Sequence, residues 1–211
     1  MTATDGVLRI SGIVLAAGSS ERMGTPKQLL TLGERCLLQH VIDAALGSQL
    51  DEVVVVLGHR ADEVSAALTL PSAAPVRIAR NPHWAEGQSG SLRCGLEAVD
   101  ERCAAAAVLL ADQPELRPAD IDRVADAFRE SGASAARPVY PEAGGAPGHP
   151  VLLARRIWPE VCALSGDSGA RVLFAAHPSW LLEVPLPGKP PVDIDRPEDH
   201  RRISGAKHSP T

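Results

Sequence analysis

The strongest constraint on the fold of this 211-residue chain is an alternation of apolar runs with segments of helical spacing. Apolar residues dominate residues 8–17, 52–57 and 104–111. Strands that are buried on both faces have this composition, and when helices separate them they form mostly parallel sheets covered on both sides. The alanine-rich run at 104–111 would also suit a helix, but it ends abruptly at Asp112 between helix-like segments, so we interpret it as a strand. The pattern predicts a three-layer α/β/α domain around a mostly parallel, mixed sheet.

The remaining elements are predicted from the same periodicities and from glycine and proline punctuation. Helices are expected at residues 37–46, 61–68, 89–99, 118–130, 155–161, 168–176 and 197–203, and extended segments at 76–79, 135–139, 151–153, 180–184 and 191–194. Residues 140–150 are rich in glycine and proline and are expected to form a loop. No linker or internal repeat divides the chain, so we expect one domain over residues 1–203 and a disordered tail over 204–211.

Composition excludes several classes of function. The formal net charge is -5 and aromatic residues make up 3% of the chain, which argues against nucleic acid as a partner. Neither a signal peptide nor an apolar stretch of membrane-spanning length is apparent, so we expect a cytoplasmic protein with no membrane partner. The 4 cysteines lack the spacing of a metal site and are expected to be buried thiols.

The first apolar run opens into a loop of small residues within IVLAAGSSERMGTPKQLL, residues 13–30. The loop is not a P-loop, because one residue too many separates its two glycines, and it is not GxGxxG, because Ala16 replaces the first glycine. Small residues nevertheless let backbone N–H groups approach an anion, and Arg22 and Lys27 supply positive charge. The sequence therefore favours either a phosphate-binding loop or an ordinary strand-to-helix loop with two solvated cations.

Two acidic segments are candidates for metal binding. Asp112 follows a buried strand, and ligands of open α/β sheets collect at the carboxyl ends of the strands. Mg²⁺ is usually held by one or two carboxylates and substrate phosphates, so Asp112 is either such a ligand or a turn residue. In VDIDRPEDH, residues 192–200, Asp193 and Asp195 share one face of an extended segment and repel each other unless a cation or hydrogen bonds compensate. Acids at the start of the last helix are the alternative explanation, but Asp193 lies too early for it.

Several further segments accompany the opening loop between about residues 10 and 203, in this order: VVVVLGHRADEV, NPHWAEGQSGSLRCGLEAV, VLLADQPELRPADID, GHPVLL, GDSGAR and DIDRPEDH. The set resembles that of the molybdenum cofactor cytidylyltransferases, which are MobA-like nucleotidyltransferases with a Rossmann-like, glycosyltransferase-A-like fold. The opening loop resembles the signature LAAGxSxRMGxPKxLL of the whole superfamily, whereas GHP and GDSGAR resemble the molybdenum-cofactor branch. Leu-Ala-Ala-Gly in place of Leu-Ala-Gly-Gly resembles cytidylyl rather than guanylyl transferases.

The resemblance implies roles for individual residues. It implies a nucleotide site formed by Leu15, Ala16, Ala17, Gly18, Arg22, Lys27, Gly58, Gly87, Ser91 and Asp112. It implies an acceptor site at His149, Gly166, Asp167 and Arg171, Mg²⁺ on Asp112, Asp193 and Asp195, and Arg22, Lys27 and Asp112 as catalytic residues. One departure affects this set, because Arg196 replaces a threonine that caps the last helix in the family. Asp195 could then be the cap, so we rank Asp193 above it as a metal ligand.

The implied reaction transfers CMP from CTP to the terminal phosphate of molybdopterin and releases pyrophosphate. A molybdenum-containing dehydrogenase that receives the product is a candidate partner. Two other classes remain open: an oxidoreductase of the nicotine blue oxidoreductase type, for which the sequence has no separate dinucleotide fingerprint, and a chaperone that delivers the cofactor to its target enzyme. Within the transferase class, another phosphorylated small molecule is an alternative acceptor.

Overall fold

The computed structural model describes residues 8–20, 25–167 and 169–206. Its strands are β1 (Ile10–Ala16), β2 (Thr31–Leu32), β3 (Arg35–Cys36), β4 (Glu52–Leu57), β5 (Val76–Arg80), β6 (Ala105–Leu110), β7 (Ala135–Tyr140), β8 (Ala146–Pro147), β9 (Val151–Ala154) and β10 (Leu181–Pro185). Its α-helices are α1 (Leu37–Leu46), α2 (Ala61–Ala66), α3 (Gln88–Ala98), α4 (Pro118–Ser131), α5 (Trp158–Cys162), α6 (Arg171–Ala176) and α7 (Pro197–Ala206).

Eight of the strands form one sheet in the order β10, β7, β9, β6, β1, β4, β5, with β8 beside β7. β1 lies between β4 and β6 and is parallel to both, whereas β9 runs antiparallel to β6 and β7. The carboxyl ends of β1, β4 and β6 therefore meet at one edge. There the N–H groups of His59 and Ala111 donate to the carbonyls of Ala17 and Leu15, at 3.0 and 3.2 Å. This edge is where the predicted ligand site is expected.

Helices cover both faces of the sheet, because alternate strand residues point in opposite directions. On β1, Ile13 belongs to a buried cluster that contains Leu92 of α3, whereas its neighbour Val14 belongs to a cluster that contains Leu38 of α1. Residues of α5 and α6 lie in the first cluster, and Ile121 of α4 lies in the second. The three-layer α/β/α architecture with a mostly parallel, mixed sheet is thus confirmed.

Most predicted elements lie within two or three residues of their predicted bounds. The run at 104–111 forms β6, because burial of both its faces outweighs the helix preference of alanine. The helix expected from residue 168 begins at Arg171, and a 3₁₀ turn at Arg155–Ile157 precedes α5.

Several differences come from short elements that have no periodicity. The ribbon of β2 and β3 was not anticipated, and β8 interrupts the loop expected at 140–150. Residues 191–194 do not form a strand. Helix α7 continues to Ala206, three residues beyond its predicted end, and residues 207–211 lie outside the described part of the chain.

The thiols and the helices carry two further findings. Cys103 is buried as expected, whereas Cys36, Cys94 and Cys162 are only half-buried, and all of them are free thiols. Within the described ranges, no helix combines the length and the apolar character that crossing a membrane requires.

The segment that precedes α7 returns to the carboxyl edge of the sheet. The N–H of Ile194 donates to the carbonyl of Asp112 at 3.0 Å. Ile194 is fully buried in a small cluster with residues of the ribbon and the flanking helices, Leu32, Leu37 and Ile203. This anchor places Asp193 and Asp195 beside the end of β6.

Candidate active site

Two adjoining cavities, each of about 460 Å³, open at the carboxyl edge of the sheet. The first cavity is bordered by the opening loop and by Asp112, and the second by Gln113 and Asp193. They share four wall residues: Leu15, Gln88, Leu110 and Asp167. Because Asp112 lines one cavity and Gln113 the other, the end of β6 marks the boundary between them.

Lys27 is held at this boundary between two carboxylates. Its Nζ lies 2.5 Å from Oδ2 of Asp112 and 3.0 Å from Oδ1 of Asp195. The side chains of Lys27 and Asp112 are only 20% and 14% exposed, whereas that of Asp195 is 51% exposed. Burial alone would lower the pKa of Lys27, but attraction from Asp112 and Asp195 outweighs it and raises the pKa above its ordinary value. Lys27 is therefore a fixed positive charge.

Asp112 and Asp193 form the acidic side of the site. Oδ1 of Asp112 is buried and accepts no hydrogen bond from any described residue, which is unusual for a buried polar atom. Oδ1 of Asp193 accepts a hydrogen bond from Nε2 of Gln113 at 2.7 Å. Burial, together with the negative charges of Asp112 and Asp195, raises the pKa of Asp193 despite the hydrogen bond from Gln113. A cation beside these two carboxylates would relieve both unfavourable features.

Asp195 does not have the capping role that the sequence left open for it. The backbone N–H of Arg196 donates to Oδ2 of Asp199 at 3.1 Å, so Asp199 reaches back to the start of α7 as in a capping box. The carboxylate of Asp195 instead contacts Lys27.

Gly166 and Asp167 cover the start of α3. Gly87 has a φ of 112°, which favours glycine, and a Cβ there would lie 2.4 Å from the carbonyl carbon of Gly166. The N–H of Ser89 donates to the carbonyl of Gly166 at 3.1 Å, and the N–H of Gln88 donates to Oδ1 of Asp167 at 3.3 Å. This contact of backbone on backbone builds the wall that the two cavities share.

The second cavity combines an apolar interior with a few polar groups. Its apolar walls come mainly from β6, β9, α3 and α6, including Val108, Val151, Leu153, Leu92 and Phe174. Burial lowers the pKa of His149 to about 4, in spite of the charge of Asp112, so its imidazole is neutral at pH 7. A neutral imidazole offers one donor and one acceptor, and the cavity suits a flat, partly apolar molecule.

Residues 12–180 match the family model of the MobA-like NTP transferase domain. This chain is a MobA-like NTP transferase. It is 33% identical over 181 residues to nicotine blue oxidoreductase of Paenarthrobacter nicotinovorans, which covers 83% of this chain and 85% of that protein. It is also 38% identical over 128 residues to the bifunctional protein GlmU of Sorangium cellulosum, but that match spans only 27% of the longer relative.

Solved structures of similar proteins agree with this assignment. Rv0371c of Mycobacterium tuberculosis superposes with a TM-score of 0.82 at 30% identity, over 95% of this chain and 99% of that one. A complex of Rv0371c with manganese gives a TM-score of 0.78. The nucleotidyl transferase Mth528 of Methanothermobacter gives 0.76 at 25% identity, over 94% of this chain and 97% of that one. The predicted nucleotidyltransferase fold and enzyme class are therefore confirmed.

In this MobA-like NTP transferase, most predicted site residues gather at the two cavities. The first is lined by Leu15, Ala16, Ala17, Gly18, Lys27, Gly87, Ser91, Asp112 and Asp167. The second is lined by His149, Asp167, Arg171 and Asp193. Three of the predicted residues line neither cavity, namely Gly58, Gly166 and Asp195, and Arg22 lies outside the described residues.

Gln28 shapes the opening loop of this transferase and was missed by the sequence analysis. Its side chain is buried, and its Nε2 donates to the carbonyls of Ala16 and Gly18 at 2.9 and 3.0 Å. Ser20 has a φ of 58°, and its Oγ accepts a hydrogen bond from the N–H of Lys27 at 3.0 Å. These contacts fix Lys27 relative to β1. The available signal was a polar residue beside the apolar pair in PKQLL.

Trp84 was also missed, although it lines the first cavity. Its ring packs edge-on against His59, with the ring centroids 4.8 Å apart. Gly58 makes room for it, since a Cβ there would lie 2.4 Å from the Cβ of Trp84 and 2.8 Å from the carbonyl oxygen of Ala17. Gly58 therefore lies behind the wall that Trp84 forms.

Proposed function

We propose that this chain transfers CMP from CTP to the terminal phosphate of molybdopterin and releases pyrophosphate. The observation that carries the proposal is the pairing of Lys27 with Asp112 at the boundary of the two cavities. Such a reaction brings two anionic substrates together. The positive charge of Lys27, beside a carboxylate of Asp112 that has one oxygen without a hydrogen bond, suits the place where they react. The resemblance of the sequence segments to the cytidylyltransferase branch supports the choice of CTP and molybdopterin.

The first cavity is the proposed CTP site. A Cβ at Gly18 would meet nothing within 4 Å, so the backbone there borders open space that a phosphate could occupy. Lys27 lies in the same cavity and would neutralise negative charge on the triphosphate. Ala17 occupies the position where guanylyl transferases have glycine, and it is buried at the base of the loop. We propose that this alanine favours cytosine over guanine.

Mg²⁺ is the proposed metal, with Asp112 and Asp193 as its protein ligands. The unpaired Oδ1 of Asp112 and the raised pKa of Asp193 fit a bound cation. The described residues contain no group of three or more His, Cys, Asp or Glu side chains suited to a metal, so substrate phosphates would complete its shell, as is common for Mg²⁺. When bound, Mg²⁺ would offset charge on the phosphate oxygens. The manganese complex of the similar Rv0371c supports a divalent ion.

The protein needs no strong general base for this reaction, because the attacking phosphate is already anionic at neutral pH. Its task is to align two anions that repel each other and to balance the charge that develops on the leaving pyrophosphate. Lys27 supplies positive charge for this purpose, and Gln28 and Ser20 hold it in place. The apolar second cavity would receive the pterin end of the acceptor, with His149 as a hydrogen-bonding partner.

A redox function is the second candidate, because nicotine blue oxidoreductase is similar to this chain over most of both lengths. The apolar walls of the second cavity would accept an aromatic pigment as well as a pterin. The cofactor-delivery function that the sequence left open is compatible with either activity, and it predicts capture of a molybdenum-containing dehydrogenase in a pull-down.

The deciding assay measures pyrophosphate release with CTP, GTP or ATP, each with and without Mg²⁺ and molybdopterin. We expect release with CTP when both are present, loss of release in EDTA, and loss in Asp112→Asn. The matched control is Arg123→Gln, at an exposed position of α4 away from both cavities. Dye-coupled oxidation of reduced nicotinamide cofactors without any pyrophosphate release would overturn the proposal in favour of the redox function.

A further inference from the structure

An arginine, Arg137, lies on an interior strand of the sheet and lines the second cavity. Arg137 lies in the middle of β7, where Ala135, Ala136 and Pro138 are buried. The strand register puts it level with Val151 of β9 and Val108 of β6, on the face that α3 and α6 cover. A charged side chain among buried residues requires a partner of opposite charge.

The ion pair with Glu183 satisfies only one side of the Arg137 guanidinium. Glu183 is directly opposite on β10, and Nε and Nη2 of Arg137 contact the same oxygen, Oε1, at 3.2 and 2.5 Å. Nη1 makes no hydrogen bond to any residue of the described ranges. The side chain of Glu183 is 50% exposed and that of Arg137 is 24% exposed. Arg137, which lines the second cavity, therefore keeps the donors of Nη1 available.

A second arginine, Arg171, lines the same cavity. It is the first residue of α6 and makes no ion pair with a residue that the structure describes. Arg137, Arg171 and Phe174 also border an outer groove, so they stand where the second cavity widens toward the surface. Two guanidinium groups thus flank the outer end of a largely apolar cavity.

These arginines are far from the proposed point of reaction. β7 is two strands from β6, a separation of about 10 Å. Arg137 is level with Val108, which precedes Asp112 by four positions, or about 13 Å along the strand. Since the side chains extend into the cavity, an anion held by Arg137 would lie about 10 to 15 Å from Asp112.

We propose that Arg137 and Arg171 form a second anion subsite, which binds a carboxylate or oxoanion at the far end of the acceptor from its reacting phosphate. The guanidinium fork suits such a group better than a lysine would. In the free protein, Glu183 satisfies part of Arg137, and it competes with the ligand for that guanidinium. The inference rests on the proposed nucleotidyl transfer, with the end near Asp112 as the end that reacts. It favours the other phosphorylated acceptor that the sequence left open over molybdopterin, because the pterin end of molybdopterin carries no carboxylate or oxoanion.

The test compares two phosphomonoesters, biphenyl-4-yl phosphate and its 4′-carboxylate derivative, which span the expected distance. Their dissociation constants are measured by calorimetry with the full chain in the presence of Mg²⁺ and CMP. We expect the carboxylate derivative to bind wild type at least tenfold more tightly. Arg137→Gln should abolish that preference, Arg137→Lys should retain part of it, and the control Arg123→Gln should leave it unchanged.

Glu183→Gln separates a binding role from a structural one. If Glu183 competes with the ligand, its neutral variant strengthens binding of the carboxylate derivative several-fold. If the ion pair only stabilises the sheet, Glu183→Gln and Arg137→Gln lower the unfolding midpoint alike and neither alters the preference. Equal binding of the two esters to wild type would also overturn the subsite. The two proposals can fail separately. If Arg137→Gln loses the preference but the wild-type protein releases no pyrophosphate, the proposed transfer is rejected and the subsite is retained.

Discussion

Lys27 and Asp112 are 85 residues apart in the sequence, yet the ammonium group of one lies 2.5 Å from the carboxylate of the other. They meet because β1 and β6 are adjacent and parallel, and because hydrogen bonds of Gln28 and Ser20 tie the segment around Lys27 to the end of β1. Each charge depends on the other, since both side chains are mostly buried. The pair is thus the structural centre of the proposed transferase.

Replacing Lys27 with alanine should reduce kcat for pyrophosphate release by about a hundred- to a thousand-fold, the usual effect of losing one preorganised charge. The fold should survive, because Lys27 belongs to none of the buried apolar clusters that join the sheet to its helices. Steady-state kinetics and circular dichroism of Lys27→Ala check both statements. Activity within threefold of wild type would remove Lys27 from the proposed mechanism.

The two late aspartates should differ in their effect on catalysis. Asp193 accepts a hydrogen bond from Gln113 and lies close enough to Asp112 for that negative charge to raise its pKa, whereas Asp195 contacts only Lys27 among the described residues. Asp193→Asn should therefore lower kcat more than Asp195→Asn and should raise the Mg²⁺ concentration required for half-maximal rate. Magnesium titrations of both variants make the comparison, and the reverse order would show that our ranking is wrong.

Gly18, which lines the first cavity, and Gly58, which lies behind its wall, should respond differently to the same substitution. A methyl group at Gly18 meets nothing, so Gly18→Ala should change the free energy of unfolding by less than about 0.5 kcal/mol and raise KM for CTP about tenfold. A methyl group at Gly58 overlaps Trp84, so Gly58→Ala should destabilise the fold by about 1–3 kcal/mol. Urea unfolding and CTP kinetics on the pair test the distinction, and equal unfolding midpoints would contradict it.

His149 should make the fold sensitive to mild acid. Its pKa is lowered to about 4 by burial, whereas the unfolded chain titrates near the ordinary value of about 6.5. Between these values the unfolded state binds more protons, so stability is complete above pH 6.5 and falls as the pH drops toward 4. The loss is at most about 3 kcal/mol. In His149→Gln the urea midpoint should vary less over this window, and an unchanged pH slope would count against the assignment.

The sequence predicted the parts of this fold that depend on periodicity and burial. The apolar runs gave β1, β4 and β6 nearly to the residue, because both faces of each strand are covered. The strand ends in turn predicted that Lys27 and Asp112 lie at one edge. Short elements such as β2 and β3 depend on tertiary contacts instead, here the burial of Leu32 against Ile194, and nothing local in the sequence encodes them.

The interior of the site was less predictable than its location. Gln28 matters because its side chain donates hydrogen bonds to the carbonyl groups of Ala16 and Gly18. Those carbonyls come within its reach only in the folded protein. The sequence left open whether Asp195 binds a metal or caps the last helix. In the structure Asp199 accepts a hydrogen bond from the N–H of Arg196, whereas Asp195 contacts Lys27. Arg137 was not predicted as a site residue, because the role of an arginine in a strand depends on its neighbours across the sheet, and the sequence alone does not show them.

Gln88 and Asp167 belong to both cavities, and the hydrogen bond between them ties the start of α3 to the GDSGAR loop. A molecule that shifts either residue on one side also changes the surface presented on the other side. Nucleotide and acceptor affinities are then thermodynamically linked, each altering the other by the same factor. Mutual strengthening or weakening of the binding of the two substrates would follow from this common partition, without any separate regulatory site.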